Sequence, residues 1–136
     1  MRLLDPLKKG LVVYGDDRHE PAAPDRLIAY GRSYEAEGKI HDALEFYWRA
    51  GDREGMERIS QGALAEGDFF LFRQAMGYLG RKPERGELLS LMKNAEERGK
   101  LSFALLAARE AGDERAAARL ERKMGGKTDD GESPKA

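Results

Sequence analysis

Glycines at positions 38, 67 and 99 recur at intervals of 29 and then 32 residues, and the residues around them fall into register. Superposing the glycines aligns Leu27 with Met56 and Leu88, Tyr30 with Ile59 and Leu91, and Tyr34 with Ala63 and Ala95. On the far side, Ile40 aligns with Phe69 and Leu101, and Tyr47 with Met76 and Ala108. Five columns stay apolar through all three units. A period near 30 residues with apolar stripes at helical spacing describes a helical hairpin that cannot bury both its faces alone, so neighbouring units must cover one another. The chain is therefore expected to be all-α and to stack.

The local signals agree with that plan. Between Asp25 and Glu37 the residues Leu27, Tyr30, Gly31 and Tyr34 recur at helical spacing, and Gly38 closes the pattern as a left-handed C-terminal residue does. Ile40, Ala43, Tyr47 and Ala50 form the stripe of a second helix, and the short connection makes the two antiparallel. Gly51-Asp52 then stops one helix and caps the next, and the same dipeptide returns at Gly67-Asp68 and Gly112-Asp113. This punctuation predicts further helices near 53–66, 69–79, 84–98, 101–111 and 113–124, with Arg81-Lys82-Pro83 widening one turn. Phe69, Phe70, Leu71, Phe72, Ala75, Met76, Tyr78 and Leu79 make the helix at 69–79 apolar nearly all round, as in a helix covered on several sides. The final helix has a strongly charged outer face and reads as a solvating cap.

Three stretches follow: an N-terminal segment 1–24, a repeat domain 25–124 and a tail 125–136. Asp5 and Pro6 suit the first turn of a short helix with Leu7, Leu11 and Tyr14 on one face, whereas Val12 and Val13 suit an extended strand; the helix is the preferred reading. The tail from Gly125 has no apolar residue before Ala136 and is expected to be disordered. At 136 residues, the repeats and both ends are expected to make one domain.

Composition narrows the function. With 24 basic and 25 acidic residues, a net charge of −1 and no run of Lys or Arg longer than two, nothing grips a phosphate backbone, so nucleic acid is not an expected partner. The absence of cysteine removes thiolate nucleophiles and Cys-based zinc sites. No apolar run reaches signal-peptide or membrane-spanning length, so the expected location is cytoplasmic with no membrane association. His19 and His41 lack metalloprotease spacing, no phosphate-cradling glycine motif follows a strand, and no serine has a base in a recognisable context. Neither a catalytic site nor a metal or cofactor is expected.

Leu27, Tyr30, Gly31, Tyr34, Gly38, Ile40, Ala43, Tyr47 and Ala50 together resemble the tetratricopeptide signature, in which small residues sit where helix backbones approach and aromatic residues fill the space around them. Later units depart from it, with Ser60 and Met92 in place of Gly31 and Phe72 in place of Ala43. The resemblance implies antiparallel hairpins stacked as a short right-handed α-solenoid, about three units and a C-terminal capping helix. It also implies a concave groove, lined by the first helix of each hairpin, that holds a peptide of a partner protein. The positions that would face it are Arg32, Gln61, Lys93 and Arg122, with Glu35, Glu57 and Glu96 beside them, although any solvated helix face yields such a row. The alternative is self-association through Trp48 and Leu44, an i, i+4 pair, or through an open end of the helical stack, unless the segment around Leu11 and Tyr14 folds over Trp48. The sequence does not choose between monomer and homo-oligomer.

Overall fold

The computed structural model describes residues 23–129, and every regular element among them is an α-helix. In chain order these are α1 (Pro24–Ala36), α2 (Ile40–Ala50), α3 (Arg53–Glu66), α4 (Phe69–Leu79), α5 (Arg85–Glu97), α6 (Leu101–Ala111) and α7 (Glu114–Asp129). Each boundary follows from chemistry written in the chain. Pro24 opens α1, where its missing N–H is not needed. Gly51, Gly67 and Gly112 all take the left-handed conformation. The aspartate after each then accepts a hydrogen bond from the first turn of the next helix: Gly55 N to Asp52 at 3.3 Å, Leu71 N to Asp68 at 3.2 Å and Ala116 N to Asp113 at 3.1 Å. The wider turn at 80–84 ends on a backbone amide of Glu84 donated to the Glu87 carboxylate at 2.9 Å.

The chain divides into two compact units, residues 1–55 and 56–136. In the first, α1 packs on α2 around the ring of Tyr47, which is fully buried. That ring occupies the space left by two glycines. A Cβ on Gly31 would come within 2.6 Å of it and one on Gly55 within 2.8 Å. The small residue of the signature thus makes room for a side chain, and the Tyr47 hydroxyl donates to Glu35 at 2.6 Å. Tyr34 stacks on Phe46 with ring centres 5.2 Å apart. Tyr30, one of the expected core columns, instead leans on Phe46 from outside and stays 39% exposed.

In the second unit the columns are interior except at Leu101, which is half-buried. Met56, Ile59 and Ala63 of α3, Leu88, Leu91 and Ala95 of α5, and Ala116, Ala117 and Leu120 of α7 are all buried, as are Phe69, Phe72 and Met76 of α4 and Ala104 and Ala108 of α6. Burial of side chains this size contributes about 1.5–3 kcal/mol for each Leu, Met or Phe. The α3–α5 approach is close: a Cβ on Gly67 would lie 2.4 Å from Cα of Ala95, and Asn94 donates to the Leu64 carbonyl at 3.0 Å. The helix α4 departs from expectation at one residue. Phe70 is 58% exposed, because it points away from the buried side of α4 that holds Phe72, Ala75 and Met76 and meets the rings of Phe69 and Phe103 only edge-on.

The helix α7 continues to Asp129, five residues past Met124, where the tail was expected to begin. Propagating an established helix adds a hydrogen bond for each residue fixed, which carries it through Gly125 despite the weak propensity of glycine. The expectations for residues 1–22, including the helix capped by Asp5 and its packing over Trp48, and those for 130–136, fall outside the described residues.

Candidate functional site

The expected groove residues separate into two groups. The acidic ones are held internally. Glu35 accepts from Tyr47, as above. Glu57 on α3 is gripped by both arms of the Arg81 guanidinium at 2.7 and 3.1 Å, a contact that pushes the arginine even further above its ordinary pKa. Glu96 on α5 is held most firmly. Arg119 of α7 donates to it twice, at 2.7 and 3.0 Å, and Lys123 once, at 3.1 Å. Its side chain is only 19% exposed. The Arg119 hydrogen bonds, with Lys123 behind them, hold the Glu96 carboxyl down at about 2 against a burial that alone would raise it. Sequence reading placed Glu96 beside the groove but missed its clamp. The signal available was the charge spacing on α7, where Arg119 and Lys123 are one turn apart and share a face.

The polar and cationic members are uncommitted. Gln61 on α3, Lys93 on α5 and Arg122 on α7 are exposed and make no hydrogen bond or ion pair with a described residue. On a helical projection each lies on the side away from its helix's buried residues: Lys93 opposite Leu88, Leu91 and Ala95, and Arg122 opposite Ala116, Ala117 and Leu120. The register of the three helices brings these positions into one series. Shifting Leu64 and Asn94 by one repeat gives Glu96 and Lys123, and both pairs are in contact, the first through Asn94 to the Leu64 carbonyl and the second through Lys123 to Glu96. Arg32 is exposed on α1 in the first unit.

The expected self-association pair is divided between core and surface. Leu44 is 0% exposed, on the same buried side of α2 as Ala43 and Tyr47, because residue 44 follows Ala43 by only a 100° turn. Trp48 lies 45% exposed.

Among the described residues there is no cluster of three or more His, Asp or Glu placed to hold a metal, and no helix long and apolar enough to cross a membrane. A shallow hollow of about 290 Å³ opens at the turn between α6 and α7, lined in part by Arg109, Asp113, Ala117 and Glu121. Three of its charged groups have structural partners: Asp113 caps α7, and Arg109 pairs with Glu121. The chain matches no protein-family model, no curated protein and no solved structure.

Proposed function

We propose that this chain is a non-catalytic interaction module, a cytoplasmic adaptor whose residues 56–124 stack helical hairpins of the tetratricopeptide-like, right-handed kind. A peptide segment of a partner protein lies across the outward faces of α3, α5 and α7. The observation that carries the reading is the division of labour on those helices: Glu57 and Glu96 are spent on internal ion pairs, while Gln61, Lys93 and Arg122 stand exposed in equivalent positions with no partner among the described residues. Donors presented on rigid helices, with little side-chain packing to rearrange, suit main-chain carbonyls and acidic groups of an extended segment. The repeat of the Asn94–Leu64 contact as Lys123–Glu96 supports the stacked-hairpin part of the reading.

The test is affinity capture from the native cell with the full chain as bait and the Lys93→Glu, Arg122→Glu double variant as control. The variant should lose the captured partner and keep the helical circular dichroism of the parent, since neither side chain supports the fold. Identical sets of captured proteins from both baits would refute the assignment of this face.

A further inference from the structure

The outer stripe of α4 consists of Phe70, Arg73 and Gly77, spaced three and then four residues apart, so all lie on one face. Three features of this stripe stand out. Phe70 is 58% exposed, meeting the rings of Phe69 and Phe103 edge-on at 5.5 Å each while its outer face is open. Gly77 is exposed in the interior of a helix, where glycine is unfavourable, yet a Cβ there would meet nothing within 4 Å. The glycine is not required by the fold of its own chain. Between the two, Arg73 lies beside the Phe69 ring and pairs with Glu110 of α6, so the face carries one cation and one anion and is neutral.

We propose that this face binds a second copy of the same chain, with α4 packed antiparallel on the α4 of the other copy about a two-fold axis. Phe70 and Gly77 are seven residues apart, two turns or about 10 Å along the axis. In an antiparallel pair centred between Arg73 and Gln74, the phenyl ring of each copy falls on the bare backbone at the glycine of the other. Knob and vacancy are therefore reciprocal, as an isologous interface demands. Each Arg73 approaches its counterpart near the axis already neutralised by Glu110, and Glu110 can accept from the arginine of either copy. The neutrality of the face disfavours a strongly charged partner, while the exposed ring supplies the central aromatic anchor that such interfaces use. A single helix pair gives a small interface, so the dimer is expected to form in the micromolar range or weaker. The proposal is independent of the peptide-binding reading, since α4 contributes none of Gln61, Lys93 or Arg122.

Sedimentation equilibrium of the full chain up to about 500 µM tests it, this range bracketing weak association. The parent should show a monomer–dimer equilibrium. Phe70→Glu should raise the dimer Kd at least about tenfold, the loss of an anchor of this kind. Gly77→Gln is the sharper variant. It fills open space in the monomer and improves helix propensity, so the monomer melting temperature at low micromolar concentration should rise while the dimer is lost. Since the chain contains no cysteine, Gln74→Cys near the axis should cross-link the dimer on mild oxidation. A parent that stays monomeric across the range overturns the proposal. So does a dimer that survives both Phe70→Glu and Gly77→Gln, or one that Gln74→Cys fails to cross-link.

Discussion

Replacing Glu96 by glutamine removes the carboxylate on which α5 and α7 converge, and the structure sets the size and the pH dependence of the effect. The ordinary carboxyl value is 4.5 and the folded value about 2. Linkage at about 1.4 kcal/mol per pKa unit gives an upper limit of roughly 3 kcal/mol. Arg119 and Lys123 are 47% and 50% exposed, so water already competes for them, and about 1–2 kcal/mol is the expected loss at pH 7. For a chain of this size that lowers the melting temperature by about 3–8 °C. The sign follows from the folded pKa being depressed: the contribution is complete above the unfolded value near 4.5 and is lost as pH falls toward 2. At pH 3 it should have fallen by more than about half, so the melting curves of the parent and Glu96→Gln converge there. Thermal unfolding followed by circular dichroism at pH 7, 4 and 3 gives the comparison. Parent and variant melting together at pH 7, or a gap that persists undiminished at pH 3, would show that the clamp does not stabilise the α5–α7 contact.

Two glycine substitutions test the packing. Gly31→Ala places a methyl 2.6 Å from the buried Tyr47 ring and should destabilise by about 1–3 kcal/mol in urea unfolding, whereas Gly62→Ala, whose Cβ meets nothing within 4 Å, should stabilise by about 0.5–1 kcal/mol. If both changes were equally tolerated, the Tyr47 pocket would not be as close-packed as described. Gly67→Ala and Gly99→Ala face the same left-handed backbone, with φ of 73° and 75°, but only Gly67 abuts the Ala95 backbone, at 2.4 Å. The strain common to both costs about 1 kcal/mol, and Gly67→Ala should exceed it by about 2 kcal/mol or more, since backbone cannot rotate away as a side chain does. Equal midpoints for the two variants would contradict the close approach of α3 and α5.

The ends of the helices were legible in the chain because they depend on local chemistry. A glycine that can turn left-handed, followed by an aspartate that caps, acts within a few residues, and the helices at 40–50, 53–66, 69–79 and 101–111 begin and end where that grammar placed them. The apolar columns of residues 56–124 were legible for a related reason: a helical period selects one face, and the repeat shows which face is shared. What each face meets is a separate question, decided only when helices distant in sequence come together. That Leu44 turns inward, that Phe70 is left outside α4, and that Glu96 is clamped from α7 while Lys93 on the same helix stays uncommitted are facts of packing between helices. Sequence spacing fixes the direction of a side chain around its own axis, and only tertiary contact determines whether that direction holds a neighbour, a counter-charge or water.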